Sequence, residues 1–251
     1  MSELARRFQQ ARTDERLALL EGFHAIKHAL RFGAEIELVA AADPEALERL
    51  AAELAPDLAG RFRALAGEPV APELLATLVP HVPYTRAVAI ARRPPFARAS
   101  LLAARDAPIV LLEDPRDLGN VGAVVRVAAG AGAAGVVTTG LHDPWDPAAL
   151  RGSAGLHFAL PVARDDGFAD VLADRPLLAL DPDGEPLDPR RLPSDAVLAF
   201  GTERHGLSSE LLTRADARLR LPMRPGVSSL NLATAVSAVL FAWRLGAGAE
   251  R

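Results

Sequence analysis

The chain has 251 residues, 50% of them hydrophobic, and a net charge of −4 with an isoelectric point near 5.9. That length and apolar content suit one large or two modest domains with real cores. The absence of cysteine removes disulfides, thiolate zinc sites, a cysteine nucleophile and base methylation through a cysteine adduct.

Met1–Gln10 is polar and charged, so no signal peptide is expected. The most apolar run, Val121–Thr138, holds Arg126 and four glycines and does not read as a membrane span. The expectation is a cytoplasmic protein with no membrane partner. Mild acidity argues against a nucleic-acid partner, but Arg6, Arg7, Arg12 and Arg16 form a basic arm, and Arg92, Arg93 and Arg98 a second cluster. Arginine excess fits phosphate recognition. A GC-rich coding bias, which also explains the many alanines, accounts for it more simply.

In chain order, Met1–Arg16 predicts a helical arm, and Arg16–Phe32 a helix closed by Gly33. Glu35–Ala40 reads as a strand, Pro44–Leu54 as a helix and Arg61–Ala66 as a strand. Pro72–Leu78 reads as a short helix and Ala87–Ala91 as a strand. This alternation predicts a small α/β domain. Arg92-Arg93-Pro94-Pro95 breaks it, and the segment to Asp106 reads as a linker with some helix.

The alternation then resumes more strongly. Ile109–Glu113 is a strand of the buried parallel type, Asn120 a candidate N-cap for a helix to about Ala131, and Gly135–Thr139 the next strand. Pro147–Ser153 reads as helix, Leu177–Leu180 and Ala196–Phe200 as strands, and Ser208–Thr213 as a short helix. Leu219–Leu221 reads as a strand end and Leu230–Leu245 as the terminal helix. The expected domains are 1–98, a linker over 99–106, and 107–251.

Three features invite chemistry that their context denies. Gly130-Ala131-Gly132-Ala133-Ala134-Gly135 matches the dinucleotide fingerprint, but the motif needs a strand before its glycines and a helix after them. Here a helix comes first, so nicotinamide or flavin binding is not expected. His24 and His28 share a helical face without a third ligand, and no metal is expected. Asp181-Pro182-Asp183-Gly184-Glu185 lacks the ligand spacing of a calcium loop and reads as a turn.

Two late segments each put flexible backbone and a few polar groups between a strand and a helix, where main-chain groups can hold a small ligand. They are Phe200-Gly201-Thr202-Glu203-Arg204-His205-Gly206-Leu207 and Leu221-Pro222-Met223 through Ser228-Ser229-Leu230-Asn231. Taken alone, Asn120 is a helix cap, Ser228 or Ser229 could cap the last helix, and Glu203 and Asn231 are ordinary polar loop residues. Arg126, mid-helix among small and apolar residues, must snorkel, pair with an acid or line a site. Taken alone it reads first as a structural ion pair.

In this order, the residues resemble the three motifs of the SpoU (TrmH-type) family of RNA ribose 2′-O-methyltransferases, part of the SPOUT superfamily. Asp117-Leu118-Gly119-Asn120-Val121-Gly122 with Arg126 is similar to the first motif, Gly201 through Leu207 to the second, and Leu221 through Asn231 to the third. Asp143-Pro144-Trp145-Asp146-Pro147 and Arg151-Gly152-Ser153-Ala154-Gly155 add supporting matches. Residues 16–93 resemble the family's small substrate-binding domain, similar to an L30e ribosomal protein, through Leu20-Glu21-Gly22-Phe23 and Val88–Arg93.

The resemblance implies an α/β fold whose catalytic domain carries a deep trefoil knot near its C-terminus, an exception to the unknotted norm. It implies a homodimer and an S-adenosyl-L-methionine site at Gly201, Leu221, Met223, Ser229 and Leu230. It also implies a structured RNA substrate, ribosomal before transfer RNA. The family's catalytic positions fall on Asn120, Arg126, Glu203, Ser229 and Asn231, with Arg126 taking the ribose proton, helped by an RNA phosphate. A guanidinium stays charged in proteins, so orienting the hydroxyl and neutralising that phosphate is its cheaper role. The rival readings are a catalytically inactive RNA-binding module on the same fold and a nucleotide-dependent oxidoreductase resting on the glycine match.

Overall fold

Segments rich in valine, isoleucine and leucine supply the strands, and alanine-rich segments supply most of the helices, several of them capped by a serine or aspartate side chain. The structure is a computed structural model describing residues 2–202 and 205–248. By contacts the chain divides into two units, residues 1–95 with 145–159, and residues 96–144 with 160–251.

In the first unit the elements run α1 (Glu3–Ala11), β1 (Leu17–Glu21), α2 (Phe23–Arg31), β2 (Ile36–Ala41), α3 (Pro44–Leu54), α4 (Ala59–Leu65), α5 (Pro72–Leu78) and β3 (Ala87–Arg92). The sheet is antiparallel with β3 central, order β1-β3-β2. Phe8, Leu19, Leu75, Leu78, Val88 and Ile90 pack together beneath it.

Two sequence expectations fail here. The helix expected over Arg16–Phe32 is β1 followed by α2, with Gly22 turning between them at φ 92°. Leu-Ala-Leu-Leu-Glu favours helix on propensity, but its ladder to β3, from Leu17↔Arg92 to Glu21↔Val88, overrides it. The strand expected over Arg61–Ala66 falls largely in helix α4, where Phe62 is buried and stacks on Phe23 at 5.2 Å between ring centroids.

The second unit begins with α6 (Arg98–Ala103), β4 (Ile109–Leu112), α7 (Leu118–Ala131) and β5 (Gly135–Thr138). Helix α8 (Pro147–Gly152) belongs to the first unit. The second unit resumes with β6 (Val162–Arg164), β7 (Leu177–Pro186), β8 (Val197–Phe200), α9 (Ser209–Arg214), β9 (Ala217–Arg220) and α10 (Leu232–Gly248). Its six strands are all parallel, in the order β6-β5-β4-β8-β7-β9. Ile109, Leu111, Val137, Ala179, Val197 and Ala199 form its core, with Leu101 of α6 packed among them.

Arg175 fixes that linker helix. It is 3% exposed and donates to the carbonyls of Leu101, Leu102, Ala104 and Ala107 at 2.5–3.4 Å. A buried cation is tolerable there because carbonyl groups at a helix C-terminus carry the compensating negative charge.

The sequence places one domain boundary near residue 100. The contacts add that 145–159 clusters with the first unit although it lies between β5 and β6. Its ties are specific: Arg151 reaches Glu21 at 2.5 Å, His28 Nδ1 meets the Ala154 carbonyl at 2.8 Å, and Trp145 carries Arg93 over its ring.

Candidate active site

The C-terminal ends of β7, β8 and β9 are where a parallel sheet offers its loops to a ligand. A cavity of about 490 Å³ lies there, lined by Leu180 to Pro182, where β7 leaves its pairing with β8, by the loop after β8, and by the loop between β9 and α10. Its volume falls within the usual range for a small-molecule site, about 300–1,000 Å³. Gly201, Leu221, Met223, Ser229 and Leu230, the five residues expected to hold a cofactor, all line it.

Local geometry explains the loop after β8. Thr202 and Gly206 exchange backbone hydrogen bonds at 2.9 and 3.1 Å, closing a tight hairpin. Gly201 lies against its far side: a Cβ there would sit 2.0 Å from the Gly206 carbonyl carbon. Glu203 lies outside the described residues.

Glu113, just past β4, grips the loop's exit. Its carboxylate accepts from the Ser208 N–H and the Ser208 hydroxyl, each at 2.6 Å. Sequence reading missed this residue, as it missed Asp181 and His205 in the cavity wall. The available signal was position, since an acidic residue at the C-terminal end of a parallel strand faces the ligand edge. Glu113→Ala is expected to lower stability by about 1 kcal/mol, the small figure reflecting solvent access to both groups. Chemical denaturation measures it, and an unchanged midpoint would mean that other contacts hold the loop.

Asn120 is not the N-cap of α7. Asp117 is, accepting from the Asn120 N–H at 2.9 Å. The Asn120 side chain instead turns to the third motif, its Oδ1 accepting from Asn231 Nδ2 at 3.0 Å across 111 residues. Asn231 in turn caps α10, its Oδ1 accepting from Ala233 and Thr234. Neither Ser228 nor Ser229 takes that role; both line the cavity. The first and third motifs are therefore joined side chain to side chain at the cavity's edge, beside Leu230 and Leu232.

Arg126 does not line the cavity. It is exposed on α7, on the same helical stripe as Gly119 and Gly130, and forms no ion pair among the described residues. The ion pair expected of the residue taken alone is absent among them, and the guanidinium faces outward.

The glycine match resolves as expected, since Gly132 closes α7 in the left-handed conformation and β5 follows it. The Asp181–Glu185 run is not a free turn but the bulged second half of β7, with register shifting between Leu180 and Glu185. No group of metal-ligating side chains occurs among the described residues.

The model of the SpoU rRNA methylase family matches residues 107–241. The chain belongs to that family. Within it, the chain is 34% identical over 166 residues to the 23S rRNA (adenosine(1067)-2′-O)-methyltransferase of Streptomyces laurentii, covering 60% of this chain and 59% of the relative. It is 31% identical over 212 residues to an uncharacterized tRNA/rRNA methyltransferase of Mycobacterium bovis, covering 77% of this chain and 70% of that one. The chain spans 46–59% of the length of the first three curated relatives it matches.

The fold is that of the SpoU methyltransferase AviRb from Streptomyces viridochromogenes, solved in complex with the cofactor AdoMet. The TM-score is 0.80 over 100% of both chains, at 24% identity. The SpoU match begins just before β4 and ends inside α10, so it takes in every element that builds the cavity.

Proposed function

We propose that this SpoU-family chain transfers a methyl group from S-adenosyl-L-methionine to a ribose 2′-hydroxyl of a structured RNA, ribosomal RNA before transfer RNA. The carrying observation is the cavity at the β7-β8-β9 edge, whose walls include all five residues expected to hold the cofactor. Apolar walls from Leu180, Leu219, Leu221 and Leu230 suit a flat heteroaromatic ring, while loop backbone and Asp181 supply polar partners for a sugar and an amino-acid tail.

The cofactor supplies an electrophilic methyl carbon on a sulfonium. The protein's work is to position the ribose oxygen. Arg126 is assigned to hold the RNA phosphate next to the reacting ribose, orienting the hydroxyl and keeping a proton acceptor beside it. Asn120 and Asn231 fix the start of α7 against the cavity edge, which sets where Arg126 stands. Ser229 and Glu203 complete the polar set by resemblance to the family motifs.

The finer architecture is inferred with it. Residues 1–98 serve as an L30e-like RNA-binding domain and 107–251 as the catalytic domain, in a cytoplasmic homodimer. A trefoil knot is supported by the return of α10 onto α7 after β9 has taken the sheet edge beside β7. The dimer is supported by α10, which exposes Ala238, Phe241 and Leu245 along one stripe, Phe241 by 41% and Leu245 by 74%. A surface of that kind marks a protein contact, and Arg126 stands on the neighbouring helix.

Mapping 2′-O-methyl groups in total RNA from a deletion strain and its parent tests the activity. One or more sites missing from the deletion strain and restored by the wild-type gene are expected. Identical maps, together with no S-adenosyl-L-methionine binding by calorimetry, would leave the inactive RNA-binding module as the function.

A further inference from the structure

The loop before β3, Pro80-His81-Val82-Pro83-Tyr84-Thr85-Arg86, holds the chain's single tyrosine. Tyr84 is fully exposed, at 101% of the reference area, and Val82 beside it is 42% exposed. Single exposed apolar groups are ordinary. What sets this one apart is how firmly its loop is anchored.

Thr85 Oγ1 accepts from the Phe23 N–H at the start of α2, 3.1 Å away. Pro83 packs against Gly22, its Cβ 3.2 Å from where a glycine side chain would begin. The Arg86 N–H closes a turn onto the Pro83 carbonyl at 2.8 Å, and the Arg86 carbonyl accepts from Ala42 at 3.0 Å. Arg86 itself is held at φ 44°, a conformation that costs a non-glycine residue and persists only when its surroundings impose it. The backbone is thus fixed on both sides of a ring that touches nothing.

Arg86 is the one charged side chain in the loop. His81 and Arg86 are exposed on the loop, which contains no carboxylate, and Arg86 has no ion pair among the described residues. The acid just across the ladder, Asp43, is taken up by the Ala46 N–H and Arg49. An aromatic face on a rigid loop, with an exposed arginine two residues on, is the chemistry that receives an unpaired RNA base and its phosphate.

We propose that this loop is a contact for the RNA substrate, with one unpaired base stacked on Tyr84 and the adjoining phosphate paired with Arg86. This rests on the RNA methyltransferase reading and adds to it where the substrate is held away from the cavity. Fixing the loop in advance lets stacking proceed without the entropy of ordering it.

The test uses full-length protein with total RNA from the deletion strain, measuring filter retention of the RNA and transfer of a labelled methyl group. Tyr84→Ala is expected to raise the apparent KM and Kd for RNA about tenfold, as loss of one stacked base does, with kcat and S-adenosyl-L-methionine affinity unchanged. Tyr84→Phe, which keeps the face, stays within about twofold of wild type, since the hydroxyl adds little to stacking. RNA retention by Tyr84→Ala equal to wild type overturns the proposal, as does a Tyr84→Phe variant as weak as alanine, or a lost protein partner with RNA binding intact. Wild-type protein that retains RNA but transfers no methyl group defeats the enzymatic reading alone, and the retention ratio still decides the loop.

Discussion

Replacing Arg126 with alanine is expected to cut methyl transfer to RNA roughly a thousandfold, on the scale of losing one preorganised charged donor at a reacting centre. Affinity for S-adenosyl-L-methionine stays near wild type, because Arg126 lies outside the cavity wall. Folding is spared as well: the side chain is exposed and has no ion pair among the described residues, and such surface changes shift stability by only about 0.5 kcal/mol.

Arg126→Lys separates the parts of the assignment. It keeps the charge and loses the planar fork, so partial activity is expected if phosphate neutralisation dominates and little if bidentate orientation does. Single-turnover transfer with total RNA from the deletion strain, alongside calorimetry, gives both numbers. An alanine variant with near-normal turnover removes Arg126 from the mechanism altogether.

Gly201→Ala is expected to abolish cofactor binding, weakening it about a hundredfold or more, as when a site loses its preorganised shape. The added methyl would lie 2.0 Å from the Gly206 carbonyl carbon and 2.2 Å from both the Gly206 oxygen and the Leu207 nitrogen. These are backbone atoms held by the Thr202–Gly206 pair, so no side chain can swing away; the hairpin must open. Opening it moves Gly201, Thr202, His205 and Gly206 together, and all four line the cavity.

Gly206→Ala is the control. A Cβ there meets nothing within 4 Å, and the cost is only that of placing alanine at φ 65°, about 1–2 kcal/mol. Calorimetry and thermal melts should therefore rank the two far apart. Equal behaviour would mean that the close approach at Gly201 does not shape the site.

Much of this protein is legible in its sequence. The α3 and α5 helices, the β4 and β8 strands and the reversed order around Gly130–Gly135 follow from apolar period, proline position and helix-ending glycine, all local properties. Five of the cavity residues, Gly201, Leu221, Met223, Ser229 and Leu230, are expected because their loops resemble the SpoU motifs.

Tertiary structure decided the rest. Leu17–Glu21 carries a helical composition and becomes a strand because β3 offers it a ladder. Asp181 reads as part of a turn and becomes cavity wall because β7 lies between β8 and β9. Asn120 reads as a cap until Asp117 takes that role and Asn231, 111 residues away, takes its side chain. Local propensities and caps are energies of neighbouring residues and can be read in order along the chain. Which distant groups become neighbours depends on the order of strands in the sheet, and no single segment encodes it.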